Sequence, residues 1–177
     1  MCMNKKFKST LVASLILISY GALASDCPTL DQLSSKNTPV MLYQHIVECI
    51  NDNQYEKAVS IHALASIYYQ YDKKRVLDKS AHQVSLVLQD FIITKISDDD
   101  LEKFNTLVTE SFRRKTSLLL ETCKSIRVLN KPTYYPDYMI DYGMQSYLKN
   151  KDTVIDESIK GSEIWEDLLK TYLHCPL

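Results

Sequence analysis

Apolar residues recur at three- and four-residue spacing along most of this chain, the mark of amphipathic helices rather than strands. A first helix is predicted from Pro39 to about Asn51, with Met41, Leu42, Ile46, Cys49 and Ile50 facing inward. Thr38 can cap it, and Pro39 suits its first position, where a missing N–H is harmless. Asn51-Asp52-Asn53 ends it. A second helix, about 54–70, carries Tyr55, Ala58, Val59, His62, Ala65 and Tyr69 at helical spacing, and Tyr71-Asp72 ends or bends it. A third, about 74–95, is apolar over a wide arc from Val76 to Ile92 and is expected at the centre of the fold. Ser97 then caps a long fourth helix, about 98–128, with its acids Asp98, Asp99 and Asp100 at the positive helix end. Its stripe is Leu101, Phe104, Val108, Phe112, Leu119 and Ile126. Asn130-Lys131-Pro132 and Tyr135-Pro136 break the pattern. A short helix over 137–149 and a last one over 162–173, with Trp165, Leu168, Leu169 and Tyr172, complete it. Residues 25–38 read as an extended arm. The pattern predicts an all-α fold, a single-domain bundle of five to seven helices over residues 25–177. No fixed-period repeat, low-complexity tract or linker divides it.

Upstream of the arm the pattern changes. Lys5-Lys6-Phe7-Lys8 is followed by an uncharged apolar run and then Gly21-Ala22-Leu23-Ala24, which is the order of a secretory signal with a small-residue cleavage site. The apolar run, about 12–15 residues, falls short of the roughly 20 that span a bilayer. Cleavage is expected after Ala24, and the residue before Cys27 is Asp26 rather than the small residue of a lipoprotein signal. The mature chain is then periplasmic or secreted, with no stable membrane insertion. Four cysteines remain in it: Cys27, Cys49, Cys123 and Cys175. Their wide gaps do not suit zinc, and an exported compartment favours two disulfides. Three pairings are possible. Cys27–Cys49 with Cys123–Cys175 is preferred, since each bond would tie a terminal segment to a helix.

Composition narrows the function classes. The chain holds three glycines, one of them in the leader. Gly143 and Gly161 alone cannot build a Walker loop or a Rossmann fingerprint, which bring backbone against phosphate. Loss of Lys5, Lys6 and Lys8 with the leader takes the 21 basic residues to 18 against 22 acidic ones, a net charge of −4 with neutral histidines. That balance offers nothing to nucleic acid or an anionic membrane.

Catalytic and metal-binding patterns are sparse. His45 lies one turn from Glu48 and Cys49, but a disulfide-bonded Cys49 is no nucleophile. His62 and His82 lie on apolar faces, and Asp78, one turn before His82, could hold it. Asp98-Asp99-Asp100-Leu101-Glu102 lacks the central glycine of a calcium loop and reads as helix capping. Arg113-Arg114-Lys115 and Lys73-Lys74-Arg75 read as solvated helix faces. No nucleophile elbow is present, and no cofactor or metal is expected. The distinctive residue is tyrosine. Five of the 12 crowd into one proline-flanked segment: Tyr134, Tyr135, Tyr138, Tyr142 and Tyr147. Tyrosine gives large contact area with few rotors and a hydrogen-bonding tip. Tyr134, Tyr135, Tyr138 and Tyr142, with Asp137 and Asp141, are the candidate surface for another protein.

Two resemblances follow. Residues 42–65, with Asn53-Gln54-Tyr55-Glu56-Lys57-Ala58 and small residues at Ala58 and Ala65, resemble a single tetratricopeptide or Sel1-type hairpin. Ile46 fills the family's small first-helix position, and the terminal proline is absent. In size, address and lack of catalytic motif, the mature chain resembles the small exported immunity proteins of bacterial toxin systems. That resemblance implies a binding protein that masks a secreted toxin by steric occlusion, without catalysis. The alternatives are a periplasmic helical-repeat-like scaffold or assembly factor, and an enzyme using carboxylate or histidine chemistry around His45, His62 or His82.

Overall fold

The computed structural model describes residues 27–114, 116–148, 155–156 and 158–176. The predicted leader and its cleavage point after Ala24 lie outside them. Eight α-helices and no strand occur among the described residues: α1 (Pro39–Asn51), α2 (Tyr55–Arg75), α3 (Val84–Ile93), α4 (Asp98–Arg114), α5 (Ser117–Leu129), α6 (Asp137–Ile140), α7 (Met144–Tyr147) and α8 (Gly161–Thr171). The fold is all-α, and none of these helices is long and apolar enough to cross a membrane.

Local chemistry sets the ends of α1. Thr38 accepts a hydrogen bond from the Met41 amide, and Pro39 stands in the first turn. At the other end Asn53 adopts the left-handed conformation at φ 59°, which asparagine tolerates. The Asn53 and Gln54 amides then return to the Ile50 and Cys49 carbonyls. The chain reverses and α1 packs along α2, the most extensive helix–helix contact of the fold. Ile46, Ala58 and Ala65 are fully buried where the two meet.

The central helix is α2, not the segment over 74–95. It buries Val59, Ile61, Leu64, Ile67 and Tyr68 on several sides and is contacted by α1, α4, α5 and α8. The predicted third helix is instead split. Its first part finishes α2 and then leaves helical geometry at Val76, which forms an isolated bridge to Ile155. Asp78 accepts from the Ser80 amide and hydroxyl, a turn that competes with helix. Only the second part, α3, is helical, and it lies at the surface with Leu86 63% exposed. The predicted fourth helix is also two. Thr116 takes an extended conformation and accepts from the Leu119 amide, so α5 starts afresh with its own cap. The described part of the predicted helix over 137–149 gives two single turns, α6 and α7, rather than one helix. The N-terminal arm contains a 3-10 turn at Leu30–Gln32 that buries Leu30.

Two disulfides staple the ends, Cys27–Cys49 and Cys123–Cys175, the preferred pairing. The second holds the tail after α8 against α5. Arg127 adds hydrogen bonds to Glu166 and to the Pro176 carbonyl.

Candidate functional site

The tyrosine-rich segment is fastened to the helical body from beneath. Asp72, near the end of α2, is fully buried. Its Oδ1 accepts from Arg75 Nε at 3.0 Å and Nη2 at 2.8 Å. Its Oδ2 accepts from the hydroxyls of Tyr134 at 2.8 Å and Tyr138 at 2.9 Å. Arg75 also donates to the Tyr134 carbonyl. A buried carboxylate is tolerable only when its oxygens are occupied in this way. Burial pushes the Asp72 carboxyl up, against the pull of Arg75 and the two hydroxyls. Burial, and next the charge of Asp72, raise the Tyr134 and Tyr138 phenols, so both stay protonated donors. Their rings continue an aromatic chain through Tyr68 to Trp165.

Further bonds hold the rest of the segment. Thr133 exchanges backbone and hydroxyl contacts with Ser35. The Met144 amide donates to Ser80 Oγ, and the Gln145 amide to Asp78 Oδ2. Gly143 leaves the room this needs: a Cβ there would lie 2.5 Å from Asp78 Oδ2 and 2.9 Å from the Ala81 Cβ. Residues 133–145 are therefore pinned to the arm, to α2 and to the loop before α3.

This pinning divides the six predicted surface residues. Tyr134 and Tyr138 turn inward as the donors just described. Tyr135, Asp137, Asp141 and Tyr142 are exposed, with Tyr135 at 56%. Three further residues of the segment, outside the predicted set, are exposed. Met144 is 69%, Tyr147 80% and Leu148 74% exposed. On α3, Val87 is exposed although the apolar arc places it inward, and Leu86 and Ile93 are exposed as well. Arg75, grouped in the sequence with Lys73 and Lys74 as a solvated face, is half-buried against Asp72, and its guanidinium also covers the Tyr71 ring.

His45 and His82 have separate polar partners. His45 Nδ1 lies 2.6 Å from Glu48 Oε2 at the surface. His82 Nε2 is 2.9 Å from the Val76 carbonyl oxygen, not held by Asp78, whose carboxylate serves Ser80 and Gln145. His62, on α2, packs edge-on against Phe104 and near Tyr43. Its Nδ1 is buried without a hydrogen-bond partner. Among the described residues, no group of three or more His, Cys, Asp or Glu side chains could hold a metal ion.

Burial pushes the His62 imidazole down to about 4. The unfolded chain takes up this proton as pH falls through about 6.5, and the folded chain only near 4. The contribution of His62 to stability should therefore be full above pH 6.5, fall by about 3 kcal/mol between pH 6.5 and 4, and level off below. Urea unfolding across that range reads the slope. A His62→Phe variant should flatten it, and superimposable profiles for the two proteins would refute the assignment.

No protein-family model, curated protein or solved structure matches this chain.

Proposed function

We propose that this chain is an exported helical binding protein that masks a partner protein, in the manner of an immunity protein that blocks a secreted toxin by steric occlusion. The observation that carries the reading is the segment 133–148, pinned over 133–145. A buried Asp72–Arg75–Tyr134–Tyr138 cluster fixes its underside, and Tyr135, Tyr142, Met144, Tyr147 and Leu148 project from it. Aromatic side chains give large contact area at low entropy cost, and aromatic residues and methionine are enriched where protein partners meet. Asp137 and Asp141 stand exposed among them. With the net charge of the mature chain, they favour a partner with a basic face and speed its approach at low salt. The two disulfides and the basic-apolar leader support an oxidising, exported setting.

A scaffold built on the α1–α2 hairpin would leave the tyrosine segment as plain cover for the core. Its outer residues do not serve that purpose. Tyr134 and Tyr138 do, and the two sets can be separated by mutation. Residues 25–177, used as bait in extracts of the source and neighbouring cells, should retain one basic protein in stoichiometric amount. Tyr134→Phe and Tyr138→Phe should still retain it. Tyr135→Ala, Tyr142→Ala and Tyr147→Ala should each weaken binding about tenfold or more if the residue is an anchor. A partner held equally well by the triple alanine variant would place the binding surface elsewhere.

A further inference from the structure

A second feature lies away from the tyrosine face. A cleft of about 610 Å³ opens between α2, α4 and the chain after α8, lined by His62, Ser66, Val108, Phe112, Tyr172 and Leu173 among others. A smaller cavity of about 260 Å³ shares His62 and is lined by Tyr43, Ile92, Leu101 and Phe104 with neighbouring polar residues. One face of α4 runs through both, from Leu101 to Phe112. Eleven residue steps at the helical rise make that face roughly 16 Å long. The volume falls within the range of small-molecule sites.

The chemistry of the walls restricts the occupant. Among the described residues neither cavity is lined by Asp, Glu, Lys or Arg. Ser66, Thr109, Gln89 and Asn105 supply uncharged polar atoms, the His174 ring joins His62 in the wall of the larger cleft, and the remaining walls are largely aliphatic and aromatic. An ion entering there would lose its hydration without a counter-charge. The His62 ring is the shared polar wall. Unlike the ring nitrogens that bond Glu48 in His45 and the Val76 carbonyl in His82, Nδ1 of His62 has no internal partner. A hydroxyl can donate to a bare ring nitrogen or accept from a ring N–H, so it suits either tautomer.

We infer that the cleft between α2 and α4 binds a small uncharged amphiphile, an alkyl chain tipped with a hydroxyl that hydrogen-bonds the His62 imidazole. The head meets His62, and the aliphatic chain lies from there along Val108, Phe112 and Leu173 in the larger cleft. Masking of a protein partner does not require this site, and either activity can fail without the other.

The test uses the mature protein with 1-decanol as the probe and decanoate as its charged counterpart. Calorimetric titration should give saturable one-to-one binding of 1-decanol, and decanoate should bind at least tenfold more weakly. In protein carrying 15N-labelled histidine, the His62 ring nitrogens should shift on addition of 1-decanol while those of His45 and His82 stay in place. His62→Phe, which keeps the ring volume, should weaken 1-decanol binding about tenfold. Val108→Trp, which fills the cleft wall, should abolish it. If either variant does not fold, the wild-type nitrogen shifts decide the matter. Absence of saturable binding, equal affinity for decanoate, or unmoved His62 nitrogens at saturation would each overturn the inference.

Discussion

Asp72→Ala is expected to lower stability by about 3–5 kcal/mol, a large part of the roughly 5–15 kcal/mol that holds a typical domain together. The cost comes from what is left behind. Arg75 would keep a half-buried charge with no carboxylate, and the hydroxyls of Tyr134 and Tyr138 would lose their shared acceptor. Buried donors without acceptors are costly because water cannot replace the lost partner. Asp72→Asn keeps one acceptor oxygen and should cost less than the alanine. Tyr134→Phe and Tyr138→Phe should each cost about 1.5–3 kcal/mol, the range for hydrogen bonds to a charged group. Urea denaturation of the four variants orders them. An alanine variant within about 1 kcal/mol of wild type would mean that Asp72 does not organise this region. The same substitution should also release residues 133–145, so amide exchange there should rise before that of α1.

The second large effect concerns the disulfides. Cys27–Cys49 closes 22 residues and Cys123–Cys175 closes 52. In the chain-entropy account the loops contribute about 3 and 4 kcal/mol respectively, by limiting the unfolded chain. Paired substitution to alanine, one bond at a time, should lower the urea midpoint in that order, and removal of both should leave the protein unfolded or nearly so at 37 °C. The larger loop has a local consequence as well. The Cys175 amide returns to the Leu169 carbonyl, and Leu173 and His174 line the cleft beside His62. Loss of Cys123–Cys175 should therefore loosen the cleft while sparing the α1–α2 hairpin. Unchanged midpoints after full reduction would contradict the account.

Where an element's ends are set by local chemistry, the chain could be read directly. Thr38, Pro39 and left-handed Asn53 bound α1 within its own residues, and Ser97 starts α4 by hydrogen-bonding the Asp100 amide. Where distant groups decide, the reading failed. Tyr71-Asp72 has the look of a helix end, yet α2 continues through it because Tyr134 and Tyr138, more than sixty residues away, satisfy the carboxylate. The break between α4 and α5 carries no proline or glycine, and its one sign is a threonine that serves equally well inside a helix or as a cap. The candidate surface shows the same limit. Composition located the tyrosine segment, but a tyrosine that stitches the underside and one that faces out are the same residue in a sequence. Their roles separate only when Asp72 is placed beneath them. The exposure of Leu86 and Ile93 has a similar origin: α2 already occupies the centre, so the apolar arc of α3 is only partly used.

The central claim is that the outward tyrosine face occludes a partner. Its most direct measurement is the activity of the captured partner, titrated with residues 25–177. Activity should fall linearly to zero at one equivalent, and the Tyr135→Ala/Tyr142→Ala/Tyr147→Ala variant, folded by circular dichroism, should leave it intact at that concentration. Full partner activity in the saturated complex, or equal inhibition by the triple variant, would contradict the claim.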